Sequence, residues 1–180
     1  VIRDNGRGFS ADEPDADSIT YGGTFPAATG YATLNVGGLD RRVYVYLPAT
    51  LPENPPLVVV FHGTGASESD DGVDAAIGEL GAREEADAQG FVLVAPFSTG
   101  EGGVNADHEG GGIGWIFGGD SESNIDLALT RAAIQEARRV YDVDASRVYA
   151  VGHSNGAFFS YFAAMKLADR FAAFAETSGG

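Results

Sequence analysis

Four short apolar runs constrain this chain more than any other feature: Leu57–Phe61, Phe91–Ala95, Val148–Val151 and Ala172–Ala175. A continuous apolar run of this length, without polar alternation, fits a strand buried on both faces. Segments of helical spacing lie between the runs. Asp74–Gln89 places Ala75, Leu80 and Ala86 on one side and is closed by Gly90. A second helix is expected from a cap at Ser123 or Asn124 to about Tyr141, with Leu127, Ile134 and Val140 facing inward. A third is expected over Asn155–Leu167, where Phe158, Phe159, Phe162 and Met165 read as a core-facing stripe. Strands alternating with helices imply an α/β fold, a mostly parallel sheet with helices on both faces. Ligands of such sheets bind beyond the carboxyl ends of the strands.

Ahead of the first run, Thr33–Val36 and Val43–Leu47 alternate apolar with polar residues around Gly37–Asp40, which signals an antiparallel hairpin. Residues 1–20 are polar and carry Asp12, Glu13, Asp15 and Asp17, so they read as an acidic N-terminal arm. The remainder, 21–180, is one domain's worth of chain. Residues 99–119 differ in kind. Nine of these 21 residues are Gly, yet Trp115, Ile116 and Phe117 sit among them. A Gly-rich loop of that length inside a compact domain is usually functional.

Charge narrows the partners. With 26 acidic and 11 basic residues the net charge is −15, and Lys166 is the single lysine. Such a chain is poorly suited to neutralising phosphates, so no nucleic-acid partner is expected. Docking on anionic lipid is equally disfavoured, and no apolar run approaches the ~20 residues of a membrane span. The acid-rich surface suits solubility and would also suit a high-salt setting. The absence of Cys excludes disulfides and thiolate chemistry.

Gly152-His153-Ser154-Asn155-Gly156 fits G-x-S-x-G. The pattern alone is weak, since 26 glycines and eleven serines produce it by chance about 0.2 times in a chain of this size. Its setting is far more specific. It follows the strand Val148–Val151 directly and precedes an amphipathic helix directly, as a nucleophile elbow requires. A turn this tight leaves no room for a Cβ two residues before or after the serine. The serine hydroxyl is then held above the sheet edge, near the positive end of the following helix. His62-Gly63-Thr64-Gly65 follows the first apolar run in the same way. Acyl transfer needs two donors aimed at a developing oxyanion. The expected pair is the N–H of Asn155, next to the nucleophile, and the N–H of Thr64.

The chain resembles the α/β-hydrolase esterases of the feruloyl esterase and polyhydroxyalkanoate depolymerase group. The stretches Arg42–Pro48, Pro56–Gly63, Gly90–Pro96, Tyr141–Tyr149, Gly152–Gly156 and Phe171–Ala175 carry the likeness, in the family's order and across most of residues 40–180. A second glycine is common after the elbow in such proteins; here Ala157 stands there. The resemblance implies a secreted, metal-independent serine esterase with Ser154 as nucleophile. It also implies that residues 21–180 form the N-terminal portion of a single α/β-hydrolase domain, with the sheet incomplete on its C-terminal side. The implied substrates are hydroxycinnamoyl or acetyl esters on polysaccharide, or polyesters.

A serine hydroxyl needs a base, and in this fold the order along the chain is Ser, acid, His. No His follows Ser154. His62 opens the oxyanion loop, His153 flanks the nucleophile and should point elsewhere, and His108 lies in the Gly-rich loop with nothing to orient it. Glu176 is a weak candidate acid, and Asp169 beside Arg170 more naturally closes a helix end. The expectation is a further polypeptide segment of the same enzyme that supplies the base and acid and covers the sheet edge at Ala172–Ala175.

Smaller signals point less sharply. Trp115 and Phe117 suit either an aromatic wall for an acyl or aryl group or a pin holding the loop to the core. Asp120, Glu122, Asn124 and Asp126 alternate like calcium ligands, but Ile125 occupies the position where such a loop needs Gly. No G-x-G-x-x-G follows a strand, so no nucleotide, and no other cofactor, is expected. A silent binding module on a hydrolase fold and a serine peptidase of the same fold are the rival readings.

Overall fold

A computed structural model of the protein describes residues 18–64, 70–98, 114–120 and 123–179. The proposed arm to residue 17, Gly65, His108, Glu122 and most of the Gly-rich loop lie outside the described residues. The strands are β1 (Tyr21–Gly22), β2 (Gly30–Val36), β3 (Leu39–Tyr46), β4 (Leu57–Phe61), β5 (Val92–Pro96), β6 (Val148–His153) and β7 (Ala173–Thr177). The helices are α1 (Asp70–Glu79), α2 (Ala82–Gln89), α3 (Ile125–Tyr141) and α4 (Asn155–Lys166). One sheet runs β1-β2-β3-β5-β4-β6-β7. Pairing is antiparallel from β1 to β5 and parallel from β5 through β4 and β6 to β7.

The three central strands explain the continuous apolar runs. In β4, Leu57, Val59 and Phe61 pack on the face shared with α3 and α4. Val58 and Val60 pack on the opposite face, with Ile77 of α1 and Ala82 of α2. β5 is buried on both faces and β4 nearly so, so neither set of their alternate positions needs to be polar, whereas in β6 the second face, with Tyr149 and Val151, is half-buried. α3 begins where the sequence suggests. The Asn124 side chain accepts from the N–H of Asp126 at 2.9 Å and of Leu127 at 3.0 Å, satisfying amides that have no carbonyl within the helix.

Several elements differ from expectation. The hairpin strands are longer, and only Gly37 and Gly38 remain between them, both at positive φ. The single helix expected over Asp74–Gln89 is two helices, divided at Gly81 with φ 57°. Ile19, within the expected arm, packs against the main core and its N–H donates to Gln135 Oε1. The aromatic stripe of α4 is only partly internal. Phe159 is fully buried, but Phe158 is 51% and Met165 56% exposed. β7 is exposed along its whole length and, among the described residues, forms the edge of the sheet beyond β6.

Candidate active site

β6 hands the chain to α4 through Ser154, whose backbone takes φ 53°, ψ −120°. A non-glycine residue at positive φ is strained and is held only by well-defined surroundings. Here the surroundings are two glycines. A methyl carbon on Gly152 would overlap the Gly156 carbonyl, and one on Gly156 would overlap the carbonyls of Phe61 and His62. The elbow is also tied to the sheet edge, because the Ser154 N–H donates to the Thr177 carbonyl of β7 at 3.0 Å. Ser154 is half-buried at the carboxyl end of the sheet.

The loop after β4 lies against this elbow. A methyl carbon on Gly63 would sit 3.3 Å from Ser154 Cβ and 3.4 Å from the His153 carbonyl. Thr64, next along, is exposed. Asn155, buried, opens α4, where first-turn amides lack helical acceptors. The His62 ring is locked. Ser98 N–H donates to its Nε2 at 3.1 Å, so Nδ1 carries the proton and donates to the Gly63 carbonyl at 2.8 Å. Burial pushes the His62 pKa down, so the ring is held neutral. Trp115, fully buried, donates through Nε1–H to the His62 carbonyl at 2.8 Å and through its backbone N–H to Asn155 Oδ1 at 3.0 Å.

Solved structures share this arrangement of strands and helices. The acetyl xylan esterase from Aspergillus awamori matches with a TM-score of 0.59 at 21% identity, over 84% of this chain and 53% of that one. A poly(3-hydroxybutyrate) depolymerase from Bordetella parapertussis matches with a TM-score of 0.53 at 22% identity, over 74% of this chain and 45% of that one. The fold is that of the α/β-hydrolases. Among curated relatives of this α/β-hydrolase chain is a bifunctional acetylxylan esterase/xylanase of Neocallimastix patriciarum, 31% identical over 142 residues. Another is feruloyl esterase B of Talaromyces stipitatus, 28% identical over 145 residues. These alignments take in 79% and 81% of the chain but only 18% and 37% of the relatives' own lengths. No protein-family model matches the chain.

Within the α/β-hydrolase frame, the structure brings together Gly152, Ser154, Asn155, Gly156, His62, Gly63 and Trp115. Phe117 lies farther out, 36% exposed, with its ring 6.2 Å from those of Phe159 and Phe162. The His153 Nδ1 lies 3.2 Å from Glu79 Oε2 on α1, on the side of Gly63. Asp169 pairs with Arg170 at 3.2 Å, beyond the end of α4 at Lys166. Glu176 is exposed on β7, in register with Gly152. Among the described residues, no histidine or carboxylate hydrogen-bonds to the Ser154 hydroxyl.

Sequence reasoning missed one buried ion pair beside the site. Arg41 of β3 reaches Asp126 Oδ1 at 2.7 Å, and also the carbonyls of Phe97 at 2.8 Å and Ile125 at 3.1 Å. The other oxygen of Asp126 accepts the Ile116 N–H at 2.9 Å. Asp126, weighed above as a calcium ligand, is thus spent on an arginine and a loop amide. The signal was present. Arg41 alternates with Val43 and Val45 on the core side of its strand, a position where a charge needs a buried partner.

Proposed function

We propose that this chain carries the nucleophile and oxyanion donors of a serine carboxylic ester hydrolase. Ser154 Oγ attacks the ester carbonyl carbon while a base takes its proton. The N–H groups of Thr64 and Asn155 receive the oxyanion. The C–O bond to the alcohol breaks, the alcohol leaves with the proton, and an acyl-serine remains for water to hydrolyse. One observation carries this reading: a serine at φ 53° on a strand–helix turn, with Gly63 seated against it.

The substrate we favour is an acetyl or hydroxycinnamoyl ester on a polysaccharide, because the relatives bear the names acetylxylan esterase and feruloyl esterase. Polymers of that kind are met outside the cell, which fits a secreted or periplasmic setting. Polyester is the second substrate class. The base and acid come from a further segment of the same enzyme. The exposed length of β7 supports this, as does the greater length of the relatives. His108 is the remaining candidate within the chain.

A fluorophosphonate probe tests the nucleophile in the full protein that carries this chain. Labelling that maps to Ser154 and disappears in Ser154→Ala is the expected result. A folded protein left unlabelled would favour a silent binding module, and hydrolysis of peptides in preference to aryl acetates or ferulates would favour a peptidase. Intact-mass analysis of the active species then identifies the polypeptide that bears the base.

A further inference from the structure

We propose that Trp115 is a positioning residue of this site, one that sets the spacing between the two oxyanion donors without touching substrate. The inference rests on the esterase reading. The two donors belong to separate pieces of chain, the loop after β4 and the first turn of α4, more than ninety residues apart. Trp115 donates one N–H to each piece. Its indole holds the carbonyl of His62, two residues before the Thr64 amide. Its backbone holds the side chain of Asn155, whose own N–H is the other donor.

The bracket is rigid in its own right. The indole stacks on Phe159 with centroids 4.5 Å apart at 18° and meets the edge of Phe61 at 5.1 Å and 86°. It lies 4.8 Å from the His62 ring. The next residue is fixed as well, because Asp126 and Arg41 anchor the Ile116 amide to the sheet. Every group in this chain of contacts except Ile116 is buried. Trp115 has no exposed surface to offer an acyl group, so its aromatic mass serves the bracket. Oxyanion stabilisation depends on donors fixed before charge develops, and displacement by about 1 Å can cost up to about 100-fold in rate.

The test uses the full protein and two substitutions. Trp115→Phe keeps an aromatic ring and loses the indole N–H. Replacement of Trp115 by benzothienylalanine keeps the bicyclic shape and exchanges only that N–H for sulfur, so folding is preserved. Each variant should lower kcat about 10- to 100-fold with KM changed less than about twofold. Each should also weaken inhibition by an aryl boronic acid, whose tetrahedral adduct needs the same donors, by a similar factor. A fall in melting temperature with kcat and boronate affinity unchanged would show a purely structural pin. A rise in KM alone would show a substrate wall. Both overturn the proposal. A wild-type protein that neither hydrolyses esters nor reacts with the fluorophosphonate overturns the esterase reading, and the proposal with it.

Discussion

Gly156, at the start of α4, lies so close to the Phe61 carbonyl at the end of β4 that no side chain fits between them. The obstacle is backbone on a central strand, which cannot swing aside. Gly156→Ala should therefore cost about 3 kcal/mol or more, lowering the melting temperature by roughly 6–12 °C in a domain of this size. Gly63→Ala is the contrast. Its methyl would meet Ser154 Cβ at 3.3 Å, a crowding relieved by a shift of a few tenths of an ångström. Stability should change by less than about 1 kcal/mol, while kcat falls about tenfold because the loop is pushed off the nucleophile. Thermal melts paired with initial rates separate the two.

The strain at Ser154 predicts a gain as well as a loss. At φ 53° glycine is more comfortable than serine. Ser154→Gly should abolish ester hydrolysis and fluorophosphonate labelling, yet raise stability by about 1 kcal/mol after the flexibility of glycine in the unfolded chain is set against the relieved strain. Ser154→Ala keeps the strain and should leave the melting temperature near that of the parent. Equal melting temperatures for the glycine and alanine variants would mean that the elbow is not strained.

What could be read from the sequence was local. The strand Leu57–Phe61 announces itself because both its faces are nearly dry, and the elbow because steric exclusion writes glycine at 152 and 156. The cap at Asn124 is equally local, acting on amides two and three residues away. What escaped depends on contacts across the chain. Asp126 looked like part of a failed calcium loop because its partner Arg41 lies 85 residues earlier. Trp115 sat in a glycine-rich stretch with no periodicity to show that its two N–H groups serve two distant segments. Phe158 and Met165 read as core because apolar side chains ordinarily are, whereas Phe159 carries the buried face of α4 and those two are more than half exposed. The break at Gly81 was missed because one glycine inside a helical pattern is often tolerated.

The Arg41–Asp126 pair makes a prediction in which the partner left behind matters most. Arg41 is 6% exposed and Asp126 fully buried. Arg41→Ala strands a buried carboxylate and frees the carbonyls of Phe97 and Ile125, and should cost about 3–5 kcal/mol. Arg41→Met combined with Asp126→Leu removes both charges and should cost less than the sum of the single changes. The Ile116 amide still loses its acceptor in the double variant, so kcat should fall even if stability recovers. Urea titrations and steady-state kinetics on the three variants check both halves.

Acid should weaken the protein in two stages, the upper one led by His62 and the lower one by Glu136. His62 is buried with its pKa pushed below the usual 6.5. A group that binds its proton more weakly when folded adds stability above its unfolded pKa, and that stability declines as pH falls below about 6.5. Protonation would also place a hydrogen on Nε2, against the Ser98 N–H. Glu136 of α3 acts lower. Burial by itself would raise its pKa, but donors from Arg139, Tyr21 and the Phe25 N–H outweigh burial and hold it down to about 2. Its share is complete above about 4.5 and is lost between about 4.5 and 2. Glu136→Gln should lower stability near neutral pH by on the order of 2 kcal/mol and remove most of the pH dependence below 4.5. It should leave the limb beginning near 6.5 intact. Urea midpoints at pH 7, 5.5, 4 and 3 decide it: an unchanged slope below 4.5 in the Gln variant would mean that some other carboxylate governs acid unfolding.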